Sequence, residues 1–119
     1  MAGQVETITL VPRFSGFLGA GTYETAGINV TEFASANVHA WRGPLIGTTP
    51  TVQFTFEESI DQENWTACDG GAADDPGAST EEVYAVTLKK RWFRVKIDLA
   101  GTDAGVTCWV VAEFERREE

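Results

Sequence analysis

Strict alternation of apolar and polar residues over short runs, cut every few positions by Gly or Pro, limits what this chain can become. From Thr51 to Glu57, Val52, Phe54 and Phe56 share one face, while Thr51, Gln53, Thr55 and Glu57 share the other. One aromatic and three charged residues take the outer role later: in Trp92–Leu99, Phe93, Val95, Ile97 and Leu99 alternate with Trp92, Arg94, Lys96 and Asp98. Val106 to Glu115 turns Val106, Cys108, Val110, Ala112 and Phe114 inward. No stretch of useful length carries the i, i+3, i+4, i+7 spacing of an amphipathic helix. Thr, Val and Ile supply 30 of the 119 residues and Leu only 5, and β-branched side chains favour a pleated surface over a helix.

Further strands are expected over Gln4–Val11, around Ile28 and Val30, over Asn37–Arg42, at Trp65–Cys68 and over Glu82–Leu88. Arg13–Gly21 reads as a Gly-rich connection carrying Phe14 and Phe17, and Gly101–Gly105 reads as a turn. Seven to nine short strands with turn signals between them predict an all-β fold, an antiparallel β-sandwich or jelly roll. The expected organisation is one domain over residues 1–119, with an N-terminal arm within 1–20 as the docking alternative to an ordinary first strand.

Charge and hydropathy narrow the function. The net charge is −9, with 18 acids against 9 Lys and Arg, which disfavours nucleic acid and anionic membrane as partners. No apolar run approaches the ~20 residues of a membrane-spanning helix, and the N-terminus lacks the basic and apolar regions of a secretory signal. On compartment grounds Cys68 and Cys108 are expected as free thiols.

Catalytic chemistry finds little support. His39 is the single histidine, no serine sits in a nucleophile elbow, and Gly19-Ala-Gly21 lacks the third glycine of a dinucleotide loop. Cys68, Cys108 and His39 are too few and too dispersed for zinc. Asp61, Glu63, Asp69, Asp74 and Asp75 are oxygen donors of the kind calcium takes, but they match no calcium-binding loop and read as a solvated acidic region. The expectation is a protein with no catalytic residues, no metal and no cofactor.

Association is the remaining class. Between Gly43 and Leu88 there are nine acids and no Lys or Arg, and then Lys89, Lys90, Arg91, Arg94 and Lys96 follow within eight positions. Such polarity can register one copy against another, or simply keep two faces solvated. Trp92 and Trp109 lie opposite the aliphatic set of their strands, where they serve as interface anchors, as cross-strand packing or as a sugar platform. The candidate protein-interface residues are therefore Phe14, Phe17, Trp92, Arg94, Lys96 and Trp109.

Phe54-Thr-Phe-Glu-Glu-Ser-Ile-Asp-Gln-Glu-Asn-Trp65 resembles a strand–Ser-x-Asp-x-x-x-Trp–strand hairpin of small phage virion proteins and of some carbohydrate-binding sandwiches. Lys90-Arg-Trp-Phe-Arg-Val-Lys-Ile97, followed by Gly105-Val-Thr-Cys-Trp109, looks like the closing strand pair of that sandwich type. Over residues 50–115 the chain is similar to small head-decoration or cement proteins of tailed bacteriophages. The resemblance implies a non-enzymatic structural protein, made in the host cytoplasm and placed on the capsid exterior. Its partners would be the major capsid protein and copies of itself, often as trimers. The rival reading is a carbohydrate-binding sandwich or a tail-associated adhesion protein, which requires two or three coplanar exposed Trp.

Overall fold

The computed structural model describes residues 5–117. Eight strands form: β1 (Val5–Leu18), β2 (Gly21–Glu24), β3 (Ile28–Asn29), β4 (Phe33–Arg42), β5 (Ile46–Ser59), β6 (Thr66–Ala67), β7 (Thr80–Thr87) and β8 (Trp92–Arg116). The ladders between them are antiparallel and, among the described residues, no helix occurs. The all-β, sandwich-like architecture and the strand number agree with the sequence reading.

β8 is the spine. One of its edges is lined in succession by β1, β2 and β3, from Val5 opposite Glu115 to Asn29 opposite Trp92. The other edge is lined by β4 and then β5, from Phe33 opposite Arg116 to Ser59 opposite Trp92. A 25-residue strand at ~3.3 Å per residue would measure about 80 Å. The molecule's longest dimension is 50 Å, so the three-stranded ribbon is folded over. Phe93 and Phe114, near opposite ends of β8, meet edge to face at 5.5 Å in the core. Two facing layers result: β6, β5, the first half of β8, β2 and β3 in one, and β1, the second half of β8, β4 and β7 in the other.

The expected turn at Gly101–Gly105 is thus a corner inside one continuous strand, and the expected closing strand pair is the two halves of that strand. No hairpin forms there because the neighbours bend with it: Gly19, Gly47 and Gly101 all adopt positive φ, as do Thr49 and Asp103. Register shifts between Ile46, Thr48 and Thr51 against Gly105, Thr102 and Ala100 add a residue first on one strand and then on the other. Across this corner the buried positions of β8 switch from odd numbers to even ones. Phe93, Val95, Ile97 and Leu99 precede it, and Val106, Cys108, Val110, Ala112 and Phe114 follow it. They join Val52, Phe54 and Phe56 of β5, Ala36, Val38 and Ala40 of β4, and Val86 and Leu88 in one core.

A second correction concerns Arg13–Gly21, which is strand as far as Leu18. Val11 pairs with Val110 and Ser15 with Cys108, so Pro12, Arg13 and Phe14 bulge out opposite the single residue Trp109. The bulge is tied by the Ser15 hydroxyl, which donates to the Pro12 carbonyl at 2.6 Å. Val5–Phe17, the arm alternative, is paired with β8 over this length, and residues 1–4 lie outside the described residues.

The far side of the sandwich is closed by the connection after β6. Phe56 donates its amide to Gly71, Phe54 and Asp74 exchange two amide bonds, and Thr87 donates to Asp69. Arg42, 8% exposed at the end of β4, holds this segment through a two-pronged pair with Asp75 at 2.8 and 2.9 Å. The Ser-x-Asp turn forms between β5 and β6: Asp61 accepts the amides of Glu63 and Asn64, and Ser59 accepts those of Asp61 and Gln62. Asp61 is held far below the ordinary carboxylate range by these bonds, first among them that from Asn64. Both cysteines are free and buried, and burial pushes each thiol up to about 12, so neither is a thiolate at neutral pH.

The corner makes a sharp prediction. A Cβ on Gly101, at φ 121°, would come within 2.8 Å of the Pro50 Cα, whereas one on Gly16 meets nothing within 4 Å. In urea unfolding, Gly101→Ala is expected to cost about 2 kcal/mol or more, and Gly16→Ala to stay within about 0.5 kcal/mol of the parent or to stabilise it. Equal effects at the two glycines would refute the folded-over ribbon.

Candidate interaction surface

The outer face of the β1–β8–β4–β7 layer gathers the aromatic groups. Trp41 and Trp109 are direct cross-strand neighbours. Trp41 lies back over Gly43, where a Cβ would come within 3.3 Å of its ring. The β1 bulge drapes Arg13 over Trp109, with its guanidinium 4.6 Å from the ring centre, and leaves Trp109 8% exposed. The same bulge projects Phe14 into solvent at 90% exposure and φ 65°. A bulky residue in the left-handed region costs about 1–2 kcal/mol, so this presentation is imposed by the bulge. Arg13, Phe14, Trp41, Glu81 and Trp109 line a concavity of about 420 Å³.

Beside it lies a second, smaller concavity of about 230 Å³ that takes in His39, Glu113, Val111 and Thr7 as well. His39 Nδ1 is 2.9 Å from Glu81 and Nε2 is 2.9 Å from Glu113. Two carboxylate partners require both ring nitrogens to carry protons, which only the imidazolium provides. The His39 pKa is accordingly raised, chiefly by the Glu113 hydrogen bond and further by Glu81, against an opposing effect of burial. The two carboxylates lie on opposite edges of the ring. Among the described residues no group of three or more His, Cys, Asp and Glu is arranged to hold a metal ion.

The basic candidates sit on the other layer and are engaged within the chain. Arg94 bonds Glu57 at 2.9 Å and Glu24 at 2.9 Å, and stacks 4.2 Å above the ring of Trp65. Lys96 lies 3.6 Å from Glu57 and 3.9 Å from Asp98. Glu57 is only 6% exposed, because these long side chains cover it. Trp92 is half-buried at the start of β8, and Phe17 packs on Tyr23 at 4.9 Å and against the core. Of the six sequence candidates, the structure brings Phe14 and Trp109 together and leaves Phe17, Trp92, Arg94 and Lys96 elsewhere. Arg13, Trp41, Glu81 and Glu113 were missed. Their convergence depends on the bulge and on the β4–β8 register, for which local sequence carries no signal.

No protein-family model and no curated protein matches the chain in sequence. Among solved structures it is similar to the PBSX exported protein XepA, with a TM-score of 0.68 and 16% identity over 96% of this chain and 38% of that one. It is also similar to a chain of infectious bursal disease virus strain Gx, with a TM-score of 0.62 and 13% identity over 95% and 32%. A chain of the infectious bursal disease virus VP2 subviral particle gives 0.57 and 11% over 96% and 33%. This chain therefore spans about a third of each neighbour's length. At these identities the likeness establishes a shared fold.

Two predictions follow from the ionic geometry. As the sole histidine, His39 gives one set of imidazole resonances, and NMR titration is expected to place its midpoint above 6.5. The contribution to stability is full below 6.5 and fades as pH rises through that raised midpoint; a midpoint at or below 6.5 would refute the double carboxylate clamp. Arg94→Glu, which leaves buried Glu57 facing a like charge, is expected to lower stability by about 3 kcal/mol in chemical denaturation. Unchanged stability would mean that Arg94 is free for a partner.

Proposed function

We propose that this chain is a non-enzymatic structural protein of a virion, a decoration or cement protein that docks on the capsid and stabilises neighbouring capsid subunits. The observation that carries this reading is the fold. Nearly all of the chain superimposes on 33% of a chain of the infectious bursal disease virus VP2 subviral particle, and on 38% of the PBSX exported protein XepA. The surface supports it: Phe14 is a large apolar side chain held out of the sheet at a conformational cost, above a concavity floored by Trp41 and Trp109. An exposed aromatic with two hydrophobic concave neighbours is the anatomy of an interface anchor. The major capsid protein and further copies of this chain are the proposed partners.

The carbohydrate-binding alternative is less well supported. It needs an exposed tryptophan platform, whereas Trp41, Trp65 and Trp92 are half-buried and Trp109 is buried beneath Arg13.

Co-sedimentation with capsids prepared without this protein tests the proposal. Saturable binding at a fixed ratio is expected, together with at least a tenfold loss of affinity in Phe14→Asp at unchanged thermal stability. Absence of saturable binding would refute the decoration role, and binding indifferent to Phe14→Asp would move the contact off this surface.

A further inference from the structure

At the end of the sandwich remote from the corner, Thr31, Ile60, Lys89, Lys90, Arg91 and Arg117 line a concavity of about 280 Å³. Four of its six lining residues are cations and none is an acid, in a chain of net charge −9 with nine Lys and Arg in all. The other cations show how unusual this is. Of the other five, Arg42, Arg94, Lys96 and Arg116 each hold at least one carboxylate of their own chain, and Arg13 lies over the Trp109 ring. Around the concavity, among the described residues, only Lys89 holds a carboxylate, that of exposed Asp69. Among the described residues, no carboxylate lies within 4.0 Å of the side-chain nitrogens of Lys90, Arg91 or Arg117.

The walls are set in advance. Buried Glu58 accepts the amides of both Lys89 and Lys90, at 2.8 and 3.2 Å, and so fixes the backbone that carries three of the cations. Arg117 donates Nε to the Thr31 carbonyl and Nη2 to the Leu88 carbonyl, which leaves Nη1 unused by these bonds. Lys90 donates Nζ to the Thr66 hydroxyl. Glu58 beneath and Asp69 beside Lys89 offset part of this charge, and the cations that face the opening still repel one another until a further anion joins them.

We propose that this concavity binds carboxylate groups of a short acidic protein segment. A carboxylate matches the forked donor of Arg91 and the remaining Nη1 of Arg117, and exposed Ile60, 65% accessible on the rim, offers an apolar contact for a neighbouring side chain of the segment. The flanking acids Glu32, Asp61, Glu63 and Asp69 repel any anion that runs past the four cations, which favours a short segment ending within the site over a nucleic acid, whose charged backbone continues beyond it. The proposal does not depend on the virion reading.

The test is fluorescence anisotropy with a labelled, amidated pentapeptide of four glutamates and one leucine, at low ionic strength. Saturable binding is expected, weakened about tenfold by Arg91→Gln and again in the Arg91→Gln/Lys90→Gln double variant, and weakened by added salt. Both residues are on a surface connection, and circular dichroism of the variants verifies that they fold. An oligothymidylate of matched charge and free inorganic phosphate serve as competitors and are expected to displace the peptide poorly. No binding, binding indifferent to both substitutions, or tighter binding of the oligonucleotide than of the peptide would each overturn the proposal.

Discussion

The pairing of β8 along both of its edges is the interaction on which the remaining structure rests. Each half of this strand is central in its own layer, flanked by β5 and by β2 and β3 before the corner, and by β1 and β4 after it. Its inward side chains, from Phe93 to Phe114, form the middle of the core. A central strand of a sandwich is paired along both edges and buried on one face, so a strand that is central twice must bend without losing its ladder. Compensating register shifts and glycines at positive φ allow that, and they also reverse the parity of the buried positions.

Electrostatics follows the same layout. The acidic chain is not an acidic shell with a separate basic face. Its cations are inserted between carboxylates that cross-strand pairing brings alongside, as Arg94 stands between Glu24 and Glu57, and Arg116 between Glu6 and Glu32. His39 performs the equivalent task between Glu81 and Glu113 on the opposite layer. In partly buried networks of this kind desolvation offsets much of the attraction, while removing one partner leaves a buried charge uncompensated. The exceptions are Arg13, committed to the Trp109 ring, and the cations at the end remote from the corner.

Local alternation made the fold class and the inward faces of β5 and β8 legible before any coordinates, because a half-buried strand writes its burial into every second residue. The Ser59–Trp65 turn was legible for a similar reason, its side chains bonding to backbone only two or three positions away. What stayed hidden depends on distant partners. Gly101–Gly105 has turn composition and becomes a corner because β5 bends beside it, and Pro12–Phe14 becomes a bulge because one residue of β8 lies opposite. Arg94 and Lys96 looked free for a neighbour since Glu57, nearly forty positions earlier, is brought across from Arg94 only by the β5–β8 register. What separates Trp41 and Trp109 from a sugar-binding platform is Arg13 above the second ring, a placement set by the β1 bulge.

The position of β8 also fixes an order of events. The strands that flank it all precede it in the chain, and β1 finds its partners about a hundred residues later, with Val5 opposite Glu115. During synthesis the earlier strands emerge with their main interior edge vacant, and few of them can pair with one another in its absence. Folding therefore waits for the last strand and then proceeds through contacts of long sequence separation, the class of topology that folds slowly. Until then the Val- and Phe-rich segments of β4 and β5 are exposed to other chains, so the yield of native protein is governed by how quickly β8 is delivered.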